Sequence, residues 1–338
     1  MSAPIVETWV ERDRLRIARA VGPFVVGDTR GLVRVTLIDD DGYVGLGEAC
    51  PWPGLHPMDI DALAQEMRVA VDAVLSSATR VAAPPDLHAL AHVVERHQAT
   101  PLVAWTLFSA LLELTAARTR TSLSALFGGK PGPVHTAALV VRDEPLTDLH
   151  ELLSRVRTVK AKIAHADDDE RVRAVHALAP DARIRIDANG ALSLADACAL
   201  AERLRDLPIT FYEEPVERSA LAAFVDAGHP LALDESLRAL DDEALLALRP
   251  SALIVKPSVL GPVRTLALIE AARGRQGPAP VIISSSFETR RGRALLAALH
   301  AAVSPHTCAG LGTGRFLDEP ALEDADGVIA PERETTHA

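Results

Sequence analysis

From about residue 134 onward, short apolar runs rich in β-branched residues alternate with stretches whose apolar positions recur every three or four residues. Runs at 134–141, 158–163, 183–189, 209–214, 231–236, 252–258, 281–287 and a short 306–310 read as strands. The segments 168–178, 193–205, 241–248, 263–273 and 292–302 carry helical periodicity instead. Strands alternating with helices in this way predict an α/β fold, a (β/α) barrel. A doubly wound open sheet is the alternative. Against it, no Gly-x-Gly-x-x-Gly follows an early strand, and polar residues gather at the ends of many strands instead of at one crevice.

The first 130 residues follow a different pattern. Segments 6–21 and 31–48 read as antiparallel strands, with a hairpin turn at Asp39-Asp40-Asp41-Gly42. Helices are expected at 59–75, 86–96 and 102–118. Gly128-Gly129-Lys130-Pro131-Gly132-Pro133 is a run of turn formers suited to a boundary, so an α+β lobe at 1–130 precedes a barrel at 131–314.

Composition narrows the function. The net charge of −11 and the lack of a dense basic stripe argue against nucleic acid or an anionic membrane as partner and favour a small molecule. No basic, apolar leader opens the chain and no run approaches about 20 apolar residues, so a cytoplasmic location is expected. Cys50, Cys198 and Cys308 lack Cys-x-x-Cys spacing and read as buried reduced thiols.

Of the 35 basic residues other than histidine, only Lys130, Lys160, Lys162 and Lys256 are lysine. Three of the four stand in apolar, β-branched segments. An ammonium can lose its proton when desolvated or crowded by another cation, whereas a guanidinium cannot. Lys160 and Lys162 are two apart, so on a strand they share a face, and such crowding can turn one of them into a general base. An edge strand protected by lysines is the plainer reading of Lys-x-Lys alone. The following strands shift the balance. Asp187 and Asn189 end the third barrel run, Glu213 and Glu214 the fourth, Asp234, Glu235 and Ser236 the fifth, and Lys256 the sixth. Strand C-termini of a barrel line one mouth, so these groups converge. A single such Asp is more often a helix cap or turn former. Three carboxylates on consecutive strands, with lysines on either side, suit a hard cation such as Mg²⁺ and proton abstraction next to a carboxylate.

The order Lys-x-Lys, Asp-x-Asn, Glu-Glu-Pro, Asp-Glu-Ser and Lys-Pro resembles the muconate-lactonizing subgroup of the enolase superfamily, over nearly the whole chain. The resemblance implies a (β/α)7β-type TIM barrel under an N-terminal α+β capping domain, which segment 315–338 would complete. It makes Asp187, Glu213 and Asp234 ligands of Mg²⁺, with Mn²⁺ as a substitute. Lys162 becomes the base, Lys160 the neighbour that lowers its pKa, and Lys256 the cation on the opposite face. Ser284-Ser285-Ser286-Phe287-Glu288-Thr289 and Gly310-Leu311-Gly312-Thr313 look like the paired motifs of o-succinylbenzoate synthases of menaquinone biosynthesis. That likeness implies a small carboxylate substrate and a hydro-lyase reaction. Asn189, Arg185, Ser286, Phe287, Gly310 and Leu311 would contact the substrate, and loops near 22–29 and Trp52 would close the mouth. An N-acylamino acid racemase or dipeptide epimerase using the same lysines is the alternative, and a non-catalytic binding protein a more distant one.

Overall fold

The computed structural model describes residues 4–76, 86–96, 99–274 and 279–332. Strands β1 (Ile5–Arg16), β2 (Thr29–Asp39) and β3 (Val44–Ala49) form an antiparallel sheet in that order. The Asp39 side chain closes the β2–β3 turn by accepting from the Asp41 and Tyr43 amides. Helices α1 (Ile60–Ser76), α2 (Leu87–Glu95), α3 (Pro101–Thr119) and the short α4 (Leu123–Leu126) complete this cap. Helix α3 is apolar all round because its first four turns are buried, against the sheet on one side and the barrel on the other.

The barrel follows. Its parallel strands are β4 (Val134–Val140), β5 (Thr158–Lys162), β6 (Arg183–Asp187), β7 (Ile209–Glu213), β8 (Leu231–Leu233), β9 (Ala252–Val255), β10 (Val281–Ile283) and β11 (Ala309–Gly312). They pair in sequence order, and β11 returns to β4. Helices α5 (His150–Leu153), α6 (Asp169–Leu178), α7 (Leu194–Arg203), α8 (Leu221–Asp226), α9 (Asp242–Leu248), α10 (Pro257–Leu260), α11 (Pro262–Arg273) and α12 (Arg290–Val303) lie between the strands. Of these, α5, α8 and α10 are too short to give a periodic signal and were not expected from sequence.

The ring closes through one bridge, Ser284 to Gly310, reinforced by the Ser285 amide donating to the Gly310 carbonyl at 2.9 Å. A Cβ at Gly310 would meet the Ser284 hydroxyl at 2.4 Å, and one at Gly312 would meet the Ala137 carbonyl at 2.2 Å. Only glycine permits this close approach. The final strand sits at 309–312, starting three residues and ending two residues beyond the expected 306–310.

Several strands stop short of their sequence-based ends. Asn189, Glu214 and Phe287 take positive φ of 46°, 39° and 65°, which extended chain cannot accommodate. The long N-terminal strand also ends early, at Arg16, where the chain turns away so that Phe24 can pack on Trp52.

The chain after Gly314 touches both lobes. Ile17 bridges Leu317, β12 (Val328–Ile329) runs antiparallel to β4, and the Glu332 carboxylate accepts from the Leu123 and Ser124 amides. No helix among the described residues is long and apolar enough to cross a membrane.

Candidate active site

Adjacent register aligns the charged residues. Lys162 pairs with Asp187, and Asp187 with Glu213, across β5, β6 and β7. Asp234 follows β8 directly and Lys256 follows β9, on the opposite side of the ring from β5. A cavity of about 340 Å³ opens over these strand ends. Lys160, Lys162, Asn189, Glu235 and Lys256 line its charged side; Trp52, Leu55, Leu139, Phe287, the serines 284–286, Gly310 and Thr313 line the other.

Asp187, Glu213 and Asp234 lie beneath the lysines and are almost wholly buried, at 1%, 1% and 5% exposure. Lys160 Nζ lies 2.6 Å from Glu213 and 2.9 Å from Asp187, Lys162 Nζ lies 3.2 Å from Asp187, and Lys256 Nζ pairs with Asp234. Burial alone would lower the Lys160 ammonium, but the carboxylates of Asp187, Glu213 and Asp234 outweigh it and raise its pKa. Burial would likewise raise Asp187, yet Lys160, Lys162 and Lys256 hold its carboxyl well below the usual range. Glu213 and Asp234 move the other way: burial pushes both up, and crowding by neighbouring acids adds to it. The expected effect of Lys160 on its neighbour Lys162 meets an intervening charge. Asp187 Oδ2 stands close to both ammonium groups and makes Lys160 a counter-ion as much as a neighbour.

Do these residues suit a divalent cation? Three oxygen donors on consecutive rigid strands are the donor chemistry Mg²⁺ takes. Asp187 Oδ2 is buried with no well-aligned hydrogen bond, although two ammonium groups approach it. Here the ammonium groups of Lys160 and Lys256 stand among the carboxylates. The carboxylate oxygens of Asp187, Glu213 and Asp234 do not all lie within 4.8 Å of one another, whereas those of Asp39, Asp40 and Asp41 at the β2–β3 turn do. The buried negative charge nevertheless fits a cation.

Two further glutamates shape the site, and their roles were not legible in sequence. Glu214 accepts from the Asp234 amide at 2.8 Å, the Ser236 amide at 2.9 Å and the Ser236 hydroxyl at 2.8 Å, which fixes the chain that carries Asp234. Glu288 takes the Ser285 hydroxyl and the Ser286 amide, each at 2.6 Å, and the Ser258 hydroxyl at 2.8 Å. The Ser286 amide is thus already engaged. Over this turn Phe287 stacks on Trp52, with ring centroids 3.9 Å apart. The Trp52 loop is latched by His56, which accepts from the Trp52 amide and contacts the Ser258 carbonyl at 3.2 Å. A neutral ring with its proton on Nε2 satisfies both contacts, and burial lowers the His56 pKa accordingly.

Of the expected substrate contacts, Asn189, Ser286, Phe287 and Gly310 line the cavity; Arg185 and Leu311 do not. Arg185 shares the inner face with Asp187 but sits one layer lower, donating to the Cys308 carbonyl at 2.8 Å and lying over the Phe211 ring. Leu311 is fully buried. Only Cys50 of the three thiols is fully buried; Cys198 and Cys308 are partly exposed.

A barrel with lysines facing each other across buried strand-end carboxylates defines a recognisable class. The chain belongs to the enolase superfamily, in its mandelate racemase/muconate lactonizing subgroup, and residues 146–333 match the family model described as "Enolase C-terminal domain-like". It is 35% identical over 260 residues to an o-succinylbenzoate synthase of Mycobacterium ulcerans, spanning 68% of this chain and 76% of that protein. Among solved structures it resembles a mandelate racemase/muconate lactonizing protein from Herpetosiphon aurantiacus, with TM-score 0.82 and 21% identity over 98% of this chain and 96% of that one. It also resembles MenC from Desulfotalea psychrophila, with TM-score 0.71 and 25% identity over 98% and 100% of the two chains.

Proposed function

We propose that the chain is an o-succinylbenzoate synthase, dehydrating 2-succinyl-6-hydroxy-2,4-cyclohexadiene-1-carboxylate. The observation that carries this reading is the unequal pair of lysines facing one cavity. Lys162 is a third exposed, while the Lys256 side chain is 11% exposed and tied to Asp234. One accessible lysine and one held against a carboxylate suit a reaction with a single base, whereas racemisation or epimerisation needs a working amine on each face. The similarity to curated o-succinylbenzoate synthases supports the same choice.

In this mechanism the neutral Lys162 amine takes the proton α to the ring carboxylate, and the resulting ammonium returns it to the departing hydroxyl on the same face. Water leaves, the ring becomes aromatic and Lys162 is neutral again. Lys256 presents its fixed positive charge to the opposite face of the enediolate. Mg²⁺, the cation used by enolase-superfamily sites, would be held by Asp187, Glu213 and Asp234 and would supply further positive charge to the substrate carboxylate. Trp52 and Phe287 cover the ring and exclude water. Ser284, Ser285 and Thr313 line the part of the cavity left for the succinyl arm.

The test is ultraviolet-monitored turnover of the cyclohexadiene substrate, with Mg²⁺ and with chelator. Fast, metal-dependent conversion is expected. No conversion, together with α-hydrogen exchange on acylamino acids or dipeptides, would replace the dehydration reading by an isomerase.

A further inference from the structure

Lysines 160 and 162 are held very differently. Lys160 is clamped between two carboxylates, but Lys162 shares its nearest acid, Asp187, with Lys160 and projects toward the cavity on a flexible four-carbon stem. Its closest partner is a neutral amide. Lys162 Nζ donates to Asn189 Oδ1 at 2.6 Å, and Asn189 Nδ2 donates to Glu235 Oε1 at 3.0 Å.

We infer that Asn189 and Glu235 form a positioning pair that aims the Lys162 amine at the cavity, with Glu235 acting on Lys162 only through the Asn189 amide. An ammonium only donates hydrogen bonds and an ionised carboxylate only accepts them, whereas an amide has one end of each kind. A single orientation of the Asn189 amide satisfies both neighbours. Glu235 therefore selects which end Lys162 meets. When Lys162 is neutral, one of its N–H bonds still goes to Asn189 Oδ1, which turns the lone pair away from the amide and toward the cavity.

The backbone supports this assignment. Asn189 sits at φ 46°, a left-handed conformation that asparagine tolerates better than most residues. Its own amide donates to Asp187 Oδ1 at 3.1 Å, and Gly190 donates to the Glu214 carbonyl at 2.6 Å. The side chain is thereby presented sideways between β6 and β8. Glu235 follows Asp234, yet among the described residues its side-chain hydrogen bond goes to Asn189, and its second oxygen is buried without a partner. Its carboxylate is committed to the amide.

The inference rests on the dehydration reading for the proton that Lys162 moves, but its geometric part can be read without substrate. In Glu235→Gln the new side chain satisfies either amide orientation. We expect kcat to fall about tenfold with KM and Mg²⁺ affinity, measured by calorimetry, unchanged. Asn189→Leu removes the acceptor, and a misplaced reacting group of this kind lowers kcat about a hundredfold. In the Asn189→Leu background, Glu235→Gln should cause no further loss. An equal loss in both backgrounds, or a fall in Mg²⁺ affinity with Glu235→Gln, would overturn the pairing, since either means that Glu235 acts on the site other than through the Asn189 amide. If the wild type leaves the substrate unconverted, the dehydration reading falls and the crystal structure of Glu235→Gln decides the aiming: displacement of Lys162 Nζ from Asn189 supports it, and an unmoved Nζ rejects it.

Discussion

The two sides of the cavity are built by different means. The charged side is carried on consecutive parallel strands, where register alone brings Lys162, Asp187 and Glu213 into line. The opposite side combines the cap with the barrel's last two strands: Trp52 comes from the cap, Phe287 from the loop after β10, and Gly310 from β11. Strand register can be kept while loops change. On the proposed function, the proton chemistry belongs to the charged side and the choice of substrate to the aromatic side.

The sharpest break of that division is Lys162→Ala, which should reduce kcat by roughly 10³-fold, within the range general bases supply, while thermal unfolding stays near wild type. Loss of binding without loss of kcat would place the base elsewhere. Next is Glu214→Ala. It leaves every proposed ligand in place but frees the chain bearing Asp234. Calorimetry should find Mg²⁺ affinity lower by about 10- to 100-fold, the usual consequence of losing a group that orients a metal ligand; unchanged affinity would separate Glu214 from the cation site. On the other side, Trp52→Ala removes a stacked ring pair worth about 0.5–1.5 kcal/mol. Steady-state kinetics should register up to about a tenfold rise in KM with a smaller change in kcat. A dominant kcat effect would blur the proposed division.

A last effect, on stability instead of activity, concerns pH. Burial lowers His300 to about 4, and its Nδ1 accepts from the Ile283 amide at 3.3 Å. The folded chain therefore binds this proton less readily than the unfolded chain, whose histidine titrates near 6.5. The His300 contribution is complete above about pH 6.5 and is lost as pH falls toward 4, with a slope of at most about 1.4 kcal/mol per pH unit. Denaturant unfolding across this window should be flatter in His300→Gln, and an unaltered slope would exclude His300 as its source.

The barrel strands were readable because strands covered on both faces must be apolar, so the charged residues at their ends stand out. Residues that act through distant partners were not. Glu214 works on a loop 20 to 22 residues away and Glu288, besides Ser285 and Ser286 beside it, on a serine 30 residues away, and neither long spacing follows a helical or strand period. Arg185 was misplaced for a related reason. Alternation puts it on the face of Asp187, but two residues of strand rise, about 6.6 Å, separate the layer facing substrate from the one beneath it. Trp52 was expected at the mouth, but its stack on Phe287 depends on a residue 235 positions away.

The closure of the ring through Ser284 and Gly310 has a dynamic consequence. Elsewhere in the barrel neighbouring strands share ladders, but β10 and β11 meet through one bridge and the Ser285 amide. Breathing of the barrel should therefore begin at this seam, and the Ser285 amide should exchange with solvent deuterium sooner than the amides of β5 and β6. Because Ser285 also accepts from Thr313 and donates to Glu288, each opening would loosen the aromatic side while the charged side stays assembled.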